Sequence, residues 1–314
     1  MTYQSASAAD LTCQSARAVL AFALVLLLLA IAACSEEQKT DEVEPYPPPN
    51  PLFYELANAD GEVEGWLLGT IHALPEGVSW RTAQIDRVVE EADFLAVEVA
   101  SLGKGDTVRQ AFLELSQSPG LRPIEDRVAP DLRPDLDAMV ARLNTSRAIL
   151  RSSEDWAAAI MLAQVDAPGD PQYGVDRALI AQFSDREVIG FETARTQLGI
   201  FDQLAPQDQR ELLEGTVEDW AASKANPERL LRAWLSGDEK TLEAATIEGI
   251  MADPELRDAL LVQRNSSWMA QLAPKLNEMP RPLIAVGAAH LVGPDGLVTM
   301  LKAQGYTVRR LPAL

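Results

Sequence analysis

Residues 64–71 read EGWLLGTI and residues 94–99 read FLAVEV. Between them Ile85, Val88, Val89 and Ala92 recur at the i, i+3, i+4, i+7 spacing of one helix face, within residues 81–92. A short apolar run, an amphipathic helix and a second apolar run make a βαβ unit, and the two strands are expected to pair in parallel. Upstream, residues 52–56 (LFYEL) and the turn Asn58-Ala59-Asp60-Gly61 predict a hairpin leading into the 64–71 strand. Downstream the pattern is helical over about 105–164 and 206–275. These blocks are separated by a helix at 175–183, a turn at Ser184-Asp185 and a strand at 187–191 (EVIGF). Residues 282–289 (PLIAVGAA) read as another buried strand, 295–303 as a helix stopped by Gly305, and 306–311 as a final strand. The two ends of this region resemble each other loosely. The fold class is α/β: a sheet built from the N- and C-terminal parts of the chain in two related halves, with a large helical insertion expected to cap it.

The chain has 314 residues, a formal charge of −20, two Cys and two His. The acidic balance excludes a nucleic-acid binder, which needs a Lys/Arg surface for phosphates. Two cysteines exclude a disulfide scaffold, a zinc finger or an iron–sulfur protein. Residues 18–33 are an unbroken apolar run, too short for a typical membrane span and suited to a signal-peptide core, so residues 1–33 are read as a signal. The run ends Ile31-Ala32-Ala33-Cys34, which resembles the lipidation site of bacterial lipoproteins. Cys13 would leave with the signal and Cys34 would become the acylated first residue. A single-pass signal anchor is the competing reading. Ser35 after the cysteine favours the outer membrane, facing the periplasm, by resemblance to Gram-negative lipoproteins. Residues 34–51 then form a lipidated, acidic, proline-rich tether carrying five acids, one Lys and five prolines. The globular part, 52–314, keeps about −16 and should favour neutral or basic partners.

With two histidines, any imidazole chemistry runs through His72 and His290. His72 closes Gly69-Thr70-Ile71-His72 and His290 closes Gly287-Ala288-Ala289-His290, each after an apolar strand. The C-terminal ends of parallel strands are where α/β proteins bind ligands, and a glycine there lets another group approach closely. Glu98 is a charge inside an apolar strand, costly unless paired, hydrogen-bonded or metal-bound. Glu192 ends the next strand, and for both acids an ion pair with an arginine is the competing reading. Asp176 either starts the helix that follows it or lines the site, with helix capping the first expectation. Arg264 and Asn265 are surface positions by default, or together clamp a substrate carboxylate or carbonyl.

Two imidazoles plus one or two carboxylates suit Zn, Mn, Co or Fe. Such a site acidifies bound water and polarises carbonyls, which is hydrolytic chemistry, with the second carboxylate as general base. No G-x-S-x-G, P-loop or G-x-G-x-x-G occurs, which argues against a serine triad and against nucleotide use.

Trp66–His72, the Glu98 strand, Tyr173-Gly174-Val175-Asp176, Gly190-Phe191-Glu192-Thr193 with Gln197, Arg264-Asn265 and Val286–Gly293 together resemble the TraB/GumN family, which includes the animal Tiki proteins. The resemblance runs from about residue 52 to 311. It implies two related α/β halves, with both Gly-x-x-His motifs and a glutamate converging on one divalent-metal site. It also implies metal-dependent hydrolysis, with His72 and His290 matching the motif histidines and Glu98 and Glu192 the two acidic positions. Together with the residue reading, this gives a peptidase acting on a peptide or protein, with His72, His290 and Glu98 as metal ligands, Glu98 or Glu192 as the base, and Arg264, Asn265 and Asp176 toward substrate. Phe191 stands where the family often has Leu. The alternatives are a lipoprotein that captures metal, haem or peptide without turnover, or one that sequesters a peptide signal.

Overall fold

The computed structural model describes residues 44–103, 105–143, 147–276 and 281–313. The signal, Cys34 and the first part of the tether lie outside the described residues. Six strands form one mixed sheet: β1 (Phe53–Ala57), β2 (Val63–Thr70), β3 (Phe94–Val99), β4 (Glu187–Glu192), β5 (Pro282–Gly287) and β6 (Thr307–Arg310), in the order β4-β3-β5-β2-β1-β6. The fold is α/β with a sheet drawn from both ends of the chain. The predicted hairpin is there: β1 and β2 pair antiparallel, with Phe53 opposite Leu68, and β6 flanks β1 antiparallel. The four neighbouring strands β4, β3, β5 and β2 are parallel.

One expectation is corrected. β2 and β3 point the same way but do not pair, because β5 lies between them, with Leu67 opposite Ile284 and Leu283 opposite Leu95. All six residues of β3 are buried, as are the first five of β5, so each is covered on both faces and can take a neighbour on either edge. The crossover from β2 to β3 is the helix Ala83–Glu91. Thr82 Oγ1 caps it by accepting the Ile85 N–H, and Ile85, Val88 and Val89 face the core.

The helical insertion builds a second apolar cluster. Trp156 is buried at its centre, stacked on Phe201 with Phe112 at its edge. Two insertion helices come back to the sheet: Ala194–Asp202, started by a Thr193/Thr196 capping box, and Gln263–Leu272, which follows a π-helical turn at Asp258–Val262.

The compact unit begins at Tyr46, so the end of the proline-rich segment packs with the domain. Tyr46 Oη donates to Glu228, and its ring lies 5.0 Å from the Arg232 guanidinium. The Asn50 N–H donates to the Leu235 carbonyl at 2.6 Å, and Arg310 donates to the carbonyls of Asn50 and Pro51. A proline-rich segment is already extended, so docking it costs little further order.

Candidate active site

All four parallel strands deliver a polar group to their C-terminal edge, where α/β sheets bind ligands. Glu98 is the penultimate residue of β3 and Glu192 the last of β4. His72 follows β2 by two residues, and His290 ends a short 3₁₀ turn, Ala288–His290, that follows β5. The motif glycines have a packing reason. A Cβ on Gly287 would stand 3.1 Å from Glu98 Oε1, and one on Gly69 would stand 3.1 Å from the Ala288 Cα. The first motif therefore packs on the turn that carries the second.

Glu98 is 3% exposed and fully engaged. Its Oε1 accepts the Gly287 N–H at 2.8 Å; its Oε2 accepts Arg264 Nη2 at 2.7 Å and Gln197 Nε2 at 3.1 Å. Desolvation pushes its pKa up, but His290, Arg264 and His72 outweigh this and hold it at about 2, so it stays ionised. Arg264 also grips Glu192 with two donors, Nε to Oε1 at 2.9 Å and Nη2 to Oε2 at 3.0 Å. Trp268, one helical turn beyond Arg264, donates its indole N–H to Glu192 Oε1 at 3.0 Å and lies 4.4 Å from the His290 ring.

His290 is nearly buried. Its Nδ1 bonds Asn265 Oδ1 at 2.7 Å and so carries the proton; its Nε2 accepts Arg264 Nη1 at 3.1 Å. Glu98 Oε1 is 3.9 Å from that Nε2. Desolvation lowers the imidazole pKa to about 4 against the pull of Glu98, which agrees with the neutral form. His72 is different: 62% of its side chain is accessible, and its Nδ1 lies 2.9 Å from Asp176 Oδ2. Desolvation lowers its pKa, but the hydrogen bond and charge of Asp176 raise it past this to about 9. His72 and Glu98 are close enough for each charge to act on the other.

Three expectations change. Asp176 does not cap its helix; at 1% exposure it bridges Thr70 Oγ1, at 2.8 Å, and His72. Asn265 is wholly buried, with its Nδ2 donating to the Asp295 carbonyl at 2.7 Å. Both hold an imidazole and both are buried. Arg264 is not a surface residue; its guanidinium is committed to the two glutamates, His290 and the Leu260 carbonyl. The ion-pair alternative for Glu98 and Glu192 is thus realised. Thr70 and Trp268 escaped the sequence reading. Thr70 had a signal, since it sits two residues before His72 on an extended chain; Trp268 had only its four-residue spacing from Arg264.

The donor chemistry fits a borderline-hard divalent cation: a neutral imidazole with a fixed tautomer, a second imidazole backed by a carboxylate, and an ionised glutamate. Among the described residues, no three His, Cys, Asp or Glu side chains already converge on one ion position. Arg264 is the cation that binds both Glu98 and His290 Nε2.

The TraB/PrgY/gumN family model matches residues 52–310. The chain belongs to that family. No curated protein and no solved structure matches it. The match spans every strand of the sheet, and the candidate site residues His72, Glu98, Asp176, Glu192, Arg264, Asn265 and His290 all fall inside it. No helix among the described residues is long and apolar enough to cross a membrane.

Proposed function

We propose that this family member is a lipid-anchored, divalent-metal-dependent hydrolase acting on a peptide or protein. The observation that carries the reading is how the histidines are held. Each commits Nδ1 to a dedicated partner, Asp176 for His72 and Asn265 for His290, the arrangement that fixes a metal-ligating imidazole. His72, His290 and Glu98 would hold Mn, Co, Zn or Fe. When bound, such an ion polarises a carbonyl and acidifies a water. The chain's own groups have separable tasks. Asp176, anchored by Thr70, orients the His72 ring, and Asn265 keeps the His290 proton on Nδ1. Trp268 covers the His290 ring against water. Glu192 is the carboxylate left to accept a proton from water, at the Oε2 that Arg264 Nη2 steadies. Acylated Cys34 would seat the domain on a bacterial membrane, facing the periplasm.

Calorimetric titration with each metal, in wild type and in His72→Ala and His290→Ala, tests the site. Metal binding by wild type, lost in both variants, with peptide cleavage that chelator stops, is the expected result. No binding, or equal binding in the variants, defeats the reading. The hold of Arg264 on both Glu98 and His290 favours a second reading, a lipoprotein that captures metal, haem or peptide without turnover; intact peptide recovered by mass spectrometry would point to it. Cys34→Ala should release the protein from the membrane fraction.

A further inference from the structure

A cavity of about 490 Å³ opens beside the charged cluster, between the helices Ala194–Asp202 and Gln263–Leu272. Glu192 and Arg264 belong to both: they close the network described above and also line this cavity. Among the described residues they are the only charged ones on its lining, and they are paired with each other. The rest is apolar, from Phe191, Ile200, Leu204 and Ala259, or uncharged and polar, including the amides of Gln203 and Gln263. On a chain with a formal charge of −20, this is a neutral recess of ligand-binding size. A second observation points the same way. Ala259 sits in the π-helical turn Asp258–Val262, a rare geometry concentrated at functional sites, and Arg264 Nη1 donates to the Leu260 carbonyl of that turn.

We propose that this cavity is the subsite for one uncharged, apolar side chain of a bound peptide. Ile200, Leu204 and Ala259 would meet the side chain, and Gln203 and Gln263 the flanking peptide groups. The absence of an unpaired charge on the lining rejects acidic and basic side chains, since burying one there would leave it without a partner. The inference rests on the peptide reading of the site, and its test is arranged to fail separately.

End-blocked pentapeptides Gly-Gly-X-Gly-Gly, with X as Leu, Phe, Gly, Asp or Lys, are titrated into the full-length protein in detergent with chelator present, so that binding is read without turnover. Leu and Phe peptides should bind roughly tenfold or more tightly than the others, the effect of burying one apolar side chain. Ala259→Trp, which fills the cavity, and Gln203→Trp, a change at an exposed position that spares the core, should each remove that preference while the far-ultraviolet circular dichroism is retained. Equal binding for all X, a preference that survives both variants, or displacement of the Leu peptide by sodium decanoate at lower concentration than by free Leu peptide would overturn the subsite. Discrimination in chelator with no cleavage on adding metal would keep the subsite and remove the hydrolase. Metal-dependent cleavage indifferent to X would do the reverse.

Discussion

His72 and His290 occupy matching steps of the sheet, each three residues beyond a glycine and just past a parallel strand, yet their protonation is driven in opposite directions. His72 has a carboxylate on Nδ1 and rises to about 9; His290 has an amide on Nδ1, an arginine on Nε2, and falls to about 4. Desolvation pushes both downward, so although His290 is the more buried ring, desolvation does not separate them in direction. The charge of the partner does: an anion stabilises imidazolium, whereas an amide oxygen offers a hydrogen bond with no compensating charge. A repeated motif therefore fixes where an imidazole goes and leaves its chemistry to residues supplied from elsewhere, Asp176 from one helix and Asn265 from another.

The harshest way to break this contrast is Arg264→Ala. It strips the donor from His290 and leaves Glu98 and Glu192 nearly buried without their cation. A loss of about 3–5 kcal/mol of stability is expected in urea melts, the usual cost of removing one partner from a buried pair, with a rise in the His290 pKa. Asp176→Asn should bring His72 from about 9 to near or below its ordinary 6.5, because desolvation then acts unopposed by that carboxylate, and Asn265→Asp should drive His290 upward from about 4. Imidazole proton shifts followed against pH would report both, and unchanged titrations would end the partner-charge account.

Stability against pH sharpens the same contrast. Glu98, held at about 2 against 4.5, stabilises the fold above pH 4.5 and loses that contribution as pH falls toward 2. His290, at about 4 against 6.5, stabilises above 6.5 and loses its share as pH falls through 4. His72, at about 9 against 6.5, stabilises below 6.5 and loses its share as pH rises through 9. With chelator present, unfolding midpoints should therefore peak near pH 6.5 and decline on both sides. The smallest effect is expected from Thr70→Val, which removes one buried hydrogen bond to Asp176 and should cost about 1 kcal/mol while loosening His72.

The elements of the sheet were legible because FLAVEV and PLIAVG are apolar runs too short for helices, and parallel strands buried on both faces read this way. The neighbour relations were not, because such runs carry no polar face to say which strand lies beside which. Glu98 announced itself as the one charge in its strand. Its partner did not, since an arginine on a helix is usually a surface residue and nothing local marks one that turns inward. Asp176 misled for a physical reason: an acid in the first turn of a helix is the expected complement to the helix dipole, and its turn toward His72 depends on Thr70, more than a hundred residues earlier. The docked tether was hidden by its prolines, whose composition matches a free linker as well as a strap.

The place of β5 between β2 and β3 has a consequence for how the molecule is made. Trp66 on β2 finds its neighbour, Leu283, only after most of the chain has been synthesised, and β3 waits for the same strand on its other edge. The early strands can pair only as two separate pieces, β1 with β2 and β3 with β4, so the sheet closes late and around its last long apolar segment. The turn bearing His290 follows that segment directly, so completion of the fold and assembly of the site are one event. A chain truncated before β5 would lack its central strand and one of its two imidazoles together, and could not expose a half-built candidate site on an otherwise finished sheet.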